Sequence, residues 1–345
     1  MYHTGSGDSE TPMTREISPD RAVERYLNER RADISESTYY NHSSLLSQFI
    51  EWCDNEGLDY VNELDGFHIS DFKIHRRDED NINTVTLYNQ MTVLRVFLRW
   101  CESRELVEDL AENILMPVPE DDSRDTMIDS ETAAQIIQYL QKYEYGTLKH
   151  VAFSLLWDTG FRVGTLRAVD LDDYHSEEQY IEVRHCPESG TPLKNKHGAE
   201  REVNLHEWVC DVIDDYIEMY RHDIVGDEGR EPLITTKQGR PVCSNIRGHI
   251  NSMTRPCVYA DECPHDRNPD SCEAAQRRDA AQRCPDSVPP HAIRRSAITA
   301  WLNDGHTKEL LSDRMNVSVK TLEKHYDART ESEKRELRRE EFGME

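Results

Sequence analysis

"PPHAIRRSAITAWLNDG" (residues 289–305) opens like a helix and carries cations where a helix least favours them. Paired prolines precede Ile293, Ala297, Ile298, Trp301 and Leu302, which recur at helical spacing, so the stretch predicts a helix that begins near His291 and docks an apolar face. A helix N-terminus already carries about half a positive charge, which makes His291, Arg294 and Arg295 unfavourable there unless an anion joins them. His291 and Arg294, three positions apart, share a face and can reach the same anion. A site for that anion is therefore expected beside this helix.

Composition narrows the choice of anion. A chain of 345 residues with 37% apolar content can build two ordinary domains, each with its own core. No apolar run reaches the roughly 18 residues of a membrane span, and "MYHTGSGDSETPMTREISPD" lacks the basic and apolar regions of a signal peptide. Residues 1–16 are expected to be disordered, and the protein to be cytoplasmic with no membrane partner. Nine cysteines, an odd number scattered along the chain, argue for reduced thiols and a metal site rather than a disulfide scaffold. A net charge of -26 taken alone argues against nucleic acid. The acidic residues are spread along the whole chain, however, as in proteins of a high-salt organism, so a local basic patch can still bind DNA.

The helical pattern divides in two. From Ser18 to about Asn113 it is helical throughout, and Leu46, Phe49, Ile50, Trp52 and Cys53 in one segment align with Leu94, Phe97, Leu98, Trp100 and Cys101 in a later one. We read 17–115 as a small helical bundle, 116–128 (within "ILMPVPEDDSRDTMI", residues 114–128) as a linker, and 129–330 as a second domain that opens with a Ser130 cap. In that domain "YIEVRH" and "REVNLH" alternate, with Ile181, Val183, Val203 and Leu205 facing one way, which predicts two strands of a small antiparallel sheet. The turn-rich residues between them hold Lys194 and Lys196. Residues 331–345 form a charged tail whose "ESEKRELRREEF" could pack on a neighbouring subunit or stand as a solvated helix.

"TGFRVGTL", then a strand pair with a lysine in its turn, then "HAIRRSA", then a tyrosine near the C-terminus resembles the catalytic domain of the tyrosine recombinases, the phage-type integrases. The acidity suggests a member from a halophilic archaeon or its virus or plasmid. The resemblance covers residues 130 to 330, and the N-terminal bundle looks like the family's core-binding domain. It implies a mainly α fold: a helical SAM-like core-binding domain plus a mainly helical catalytic domain with a small antiparallel β-sheet. It also implies strand cleavage and rejoining through a 3′-phosphotyrosine on double-stranded DNA, with no cofactor for the chemistry, no small-molecule substrate, and a dimer or tetramer on the DNA.

The chemistry explains the residue types. Phosphoryl transfer needs a nucleophile, a proton manager and fixed positive charge around the non-bridging oxygens. Arginine grips phosphate bidentately and stays charged. Arg162, expected on the first turn of a helix after the Thr159-Gly160 turn, and Arg294 fill that role, and the missing anion becomes a DNA phosphate held by two helix starts. The resemblance makes His291 the general acid or base, Lys196 the general acid for the departing 5′ oxygen with Lys194 in reserve, and Tyr326 the nucleophile. It also exposes a departure. Where the family has a second histidine or a tryptophan, counting lands on Val317, with Asn316 beside it as a substitute donor and His325 or His306 near enough to approach. A catalytically impaired DNA-binding regulator or adaptor of the same fold is the alternative. Lys73, His75, Arg76, Arg77 and Arg95 in the bundle, with Lys194 and Arg295, are candidate DNA contacts.

Residues 256–285 fall outside the resemblance. They hold Cys257, Cys263, Cys272 and Cys284, four thiolates that would satisfy tetrahedral structural zinc, with His265 as an alternative ligand. Their gaps of five, eight and eleven residues are not the paired C-x₂-C spacing, and an inserted loop with free thiols is the competing reading. Arg277, Arg278 and Arg283 make the insertion locally basic, within reach of a DNA backbone.

Overall fold

Helix starts in this chain are set by small polar caps and prolines. The computed structural model describes residues 16–118, 127–226 and 229–326, with Arg335, Arg339 and Gly343 beyond them. The expectations for residues 1–15, for most of the linker and for the charged tail fall outside the described residues. The chain divides into two compact units, Met1–Arg124 and Asp125–Glu345.

In the first unit, α1 (Pro19–Arg30) starts on a proline, where the missing N–H costs nothing. The hydroxyl of Ser35 accepts the Thr38 N–H at the start of α2 (Glu36–Glu56), which ends at a left-handed Gly57. Asp65 caps α3 (Gly66–Asp78) and Asn83 caps α4 (Thr84–Glu102). The repeated motif pairs α2 with α4 as the spacing predicts: Leu46, Phe49, Cys53, Leu94, Phe97 and Cys101 are all fully buried. Phe49 meets Phe72 edge-on at 5.2 Å between ring centres. Burial pushes the Cys53 thiol up to about 12, so it behaves as a small apolar side chain.

The second unit is built around a helix with no exposed face in its middle. After α5 (Ser130–Tyr143) comes α6 (Leu148–Thr159), whose residues Val151 to Leu156 are all inaccessible to solvent. The α5 cap is Asp129 rather than Ser130: its carboxylate accepts the Thr132 N–H at 2.7 Å, and Ser130 is already helical. Then follow α7 (Val163–Ala168), β1 (Tyr174–His175), β2 (Tyr180–Val183), β3 (Arg201–Asn204), α8 (Glu207–Met219) and α9 (Cys243–Met253). Next come two single-turn helices, α10 (Pro256–Tyr259) and α11 (Glu273–Gln276), and finally α12 (Pro290–Asn303), α13 (Lys308–Met315) and α14 (Val319–His325).

The sheet is three-stranded and antiparallel in the order β1-β2-β3, with Ile181 opposite Val203. Ile181, Val183, Val203 and Leu205 are buried as their alternation predicts. β1, at two residues, is too short for alternation to reveal. Among the described residues no helix is long and apolar enough to cross a membrane.

Candidate active site around Tyr326

Four chain ends meet at this site: the C-termini of α6 and α13, the start of α12, and the residue after α14. Gly160 ends α6 in the left-handed region at φ 61°, and a Cβ there would stand 3.0 Å from the Met315 sulfur. Both constraints require glycine. Thr159 shapes the same turn, its hydroxyl accepting the Phe161 N–H at 3.2 Å.

Arg294 is only 2% exposed, and its partners explain why a cation is tolerated so deep. Its guanidinium donates to the carbonyls of Gly160 and, at 2.7 Å, Met315, with Asn316 at 3.4 Å. Those oxygens lie at the negative ends of α6 and α13. Burial, then the charge of Arg162, holds Arg294 below the ordinary guanidinium range, while Tyr326 opposes the shift. Arg294 sits in the second turn of α12 and is satisfied by helix C-termini. The start of α12 offers few free N–H groups, because Pro289 and Pro290 have none and the Ala292 N–H returns to the Pro289 carbonyl.

Arg162 differs. It is the N-cap of α7 rather than a residue of its first turn, it is half-buried, and among the described residues its side chain makes no hydrogen bond or ion pair. Desolvation lowers its affinity for its proton, and only the Tyr326 phenol opposes this. A desolvated, unpaired guanidinium is costly, and an incoming anion would relieve it.

His291, at the second position of α12, is exposed, yet partial burial followed by Arg294, Arg295, Arg162 and Lys194 holds its imidazole below the ordinary range. It is thus neutral near pH 7, and the four charges that act on it are all cations. Lys194, the reserve lysine, is among them. Lys196, the first choice, is exposed in a left-handed conformation at φ 51°, and its charge is not among those four.

Asn316, the candidate substitute for the missing histidine, already engages its side-chain oxygen and one of its two side-chain N–H groups. It is the left-handed C-cap of α13, its side-chain oxygen accepts from Asn195 at 2.6 Å, and its amide nitrogen donates to the Gly198 carbonyl at 3.2 Å. It ties the lysine-bearing turn to the end of α13. Val317 is 7% exposed, in the apolar cluster that also holds Tyr326, Leu322 and Met315. His306 lies against Trp301, with ring centres 4.8 Å apart, and the side chain of His325 lies outside the described residues.

Tyr326 closes the site. It follows α14, is 7% exposed, and its backbone carbonyl accepts from Thr299 of α12 at 3.4 Å. One further cation escaped sequence reasoning. Arg201 opens β3, donates to the carbonyls of Arg314 and Ala199 at 2.7 Å, and stacks over Phe161. Desolvation and then Arg162 depress it to about 10. Nothing local marked it, because its partners come from distant segments.

The fold of the chain has counterparts of known structure. The Tn1549 transposon integrase in complex with a circular intermediate DNA superposes with a TM-score of 0.70 at 14% identity, over 94% of this chain and 99% of that one. A lambda integrase(75-356) dimer bound to a COC′ core site gives 0.61 at 13% identity, over 92% and 97%. The fold is the integrase fold. At these identities the likeness establishes architecture alone. No family model matches the chain, and no curated protein matches it by sequence.

Within the integrase fold, the candidate contacts of the first unit fare unequally. Arg76 is corrected: it is 8% exposed, and its guanidinium is engaged by Asp80 and, at 3.1 Å, by Gln90, so it bridges α3 and α4. Arg77 is exposed in a fork with Asp78, and His75 pairs with Glu79 at 3.0 Å. Lys73 donates to the Leu115 carbonyl at 3.0 Å. Arg95 is half-buried, and its Nε has no partner among the described residues. In the second unit, Arg295 is half-buried beside His291. The four cysteines of 256–285 and His265 line a separate small cavity. In the same insertion Arg277 pairs with Asp279, and Arg283 with Glu273 at 2.5 Å.

Proposed function

We propose that the chain is a tyrosine recombinase that cleaves and rejoins double-stranded DNA at specific sites. One observation carries this reading: in a protein of net charge -26, the Tyr326 phenol acts electrostatically on two buried or half-buried arginines, with His291 and Lys194 in the same field of positive charge.

The proposed reaction uses these groups as follows. Arg162 holds the non-bridging oxygens of one phosphate, where negative charge grows in the transition state, and Arg294, fixed by the two helix C-termini, adds its positive charge from behind. The Tyr326 phenol attacks phosphorus, giving its proton to the neutral His291. The bond from phosphorus to the 5′ oxygen breaks, Lys194 supplies the proton to that oxygen, and a 3′-phosphotyrosine remains. The reverse attack by a 5′ hydroxyl rejoins the strand without an external energy source. Lys194 is placed in the acid role because its charge reaches the histidine, with Lys196 of the same turn as the alternative. The enzyme would act as a dimer or tetramer on DNA and need no cofactor for these steps.

A pool of randomised duplexes, each nicked so that the cleaved fragment diffuses away, tests this. The recombinase should trap a covalent adduct that survives denaturation, and sequencing the trapped DNA would define the site. Binding without an adduct would instead support a regulator that has the fold but not the chemistry. Val317, buried in the apolar cluster and unable to donate a hydrogen bond, favours that second reading.

A further inference from the structure

The segment between α9 and α12 is held in place by very little. Its buried apolar side chains are Ala274, Ala280, Ala281 and Val288, and its only regular elements are α10, α11 and a short 3-10 stretch, Arg278–Arg283. Three alanine methyls and one valine bury too little apolar area to order a segment of this length, and small units of this kind depend on a staple.

Four cysteines separated by five, eight and eleven residues converge where such a staple would sit. Cys257, Cys263, Cys272 and Cys284 line one cavity of about 20 Å³, with His265 on the same wall. That volume is too small for an organic ligand and suits a single ion.

The surroundings suit four ionised sulfurs. Cys272 is the N-cap of α11, and Arg267 lines the cavity beside it. Arg255, 7% exposed, lines the same cavity and is fixed by the carbonyls of Ser252 and Ala274. A zinc ion with four thiolates carries two net negative charges, and Arg255 and Arg267 supply two positive ones. His265 is already engaged, its Nε2 lying 2.7 Å from the Asp286 carboxylate.

We propose that Cys257, Cys263, Cys272 and Cys284 bind one structural zinc ion, which folds residues 256–285 and fixes the approach to the helix that carries His291 and Arg294. Among the described residues no three such side chains are already set for coordination, so binding draws the sulfurs inward to about 2.3 Å from the ion. The segment's short elements allow this movement. Each thiol that was neutral releases one proton as its zinc–sulfur bond forms. The anchor is direct. Cys284 is followed by Ser287, whose hydroxyl donates to the Asn251 carbonyl, and by Val288, whose N–H donates to Thr254 at 2.9 Å, just before α12 begins. This proposal is independent of strand cleavage and stands or falls without it.

The test is metal analysis of the full-length chain, purified under reducing conditions without added metal. One zinc per chain is expected, and cobalt(II) exchanged into the site should give the intense absorption of a tetrahedral thiolate complex. Cys→Ser at each of the four positions should weaken zinc binding by more than about 100-fold, since loss of an outer partner alone costs about 10- to 100-fold. Cys243→Ser and His265→Ala should keep the metal. Should the serine variants fail to fold, titrating the folded wild-type protein with a mercurial reagent replaces them: release of zinc in step with four thiols supports the site. Absence of zinc, an intact mass showing two disulfides, or retention of zinc when a mercurial has blocked all four sulfurs would overturn the proposal. Loss of zinc in His265→Ala as severe as in a cysteine variant would overturn the four-thiolate ligand set.

Discussion

Replacing each of the two central arginines by methionine should have opposite effects on stability. Methionine keeps most of the apolar stem and removes only the charged fork. In Arg294→Met the carbonyls of Gly160 and Met315 lose their donor inside a site that is 2% exposed. A buried polar group left unsatisfied costs about 1–3 kcal/mol, so the loss is about 2–6 kcal/mol. For a unit of this size each kcal/mol lowers Tm by about 2–4 °C, which predicts a drop of about 4–24 °C in the transition of the second unit. Arg162→Met removes a desolvated guanidinium with no bonded partner among the described residues, so Tm should hold within about 2 °C or rise, because surface-like changes stay within about 0.5 kcal/mol. Differential scanning calorimetry of the two variants, paired with DNA-binding titrations, reads both effects. Arg162→Met should lose DNA affinity while remaining folded. Equal Tm shifts for the two variants would refute the division between a structural and an anion-seeking arginine.

Acid should destabilise the second unit above the pH at which carboxylates titrate. Burial lowers His150 and His249 from 6.5 to about 4, so the unfolded chain binds more protons than the folded one between those values, and stability falls as pH drops through that window. His150→Gln should flatten the decline in urea midpoint between pH 6.5 and 4.5; an unchanged slope would count against it. Lys194→Ala should slow formation of the covalent adduct by about 10²-fold or more, the usual contribution of a positioned acid, whereas Lys196→Ala should change it by less than about 5-fold. The reverse order would return the acid role to Lys196. Gly160→Ala should cost about 1–2 kcal/mol through its left-handed φ and the Met315 contact, seen as a lower Tm with the DNA site size unchanged.

Where the sequence spoke clearly, the interactions were local. The double proline set the start of α12, the alternation of Ile181 and Val183 set β2, and the repeated Leu-x-x-Phe pattern set the core between α2 and α4. Arg76 was misread although its partner Asp80, four residues on, was visible as a helical ion pair. Arg294 was found for its charge, but its actual partners lie at Gly160 and Met315, brought close only by packing. The same holds for Arg201 and for the choice between Lys194 and Lys196. The hairpin turn is irregular, and Asn316, held by Asn195, decides how it lies. Residue type pointed to the proposed chemistry, while tertiary contact placed the side chains.

The most direct measurement is mass spectrometry on protein trapped with the nicked-duplex pool. After nuclease and protease digestion, the account predicts a nucleotide attached through phosphate to Tyr326 in the wild-type chain and no adduct in Tyr326→Phe. An adduct on another residue, or one that forms equally in the phenylalanine variant, would contradict it.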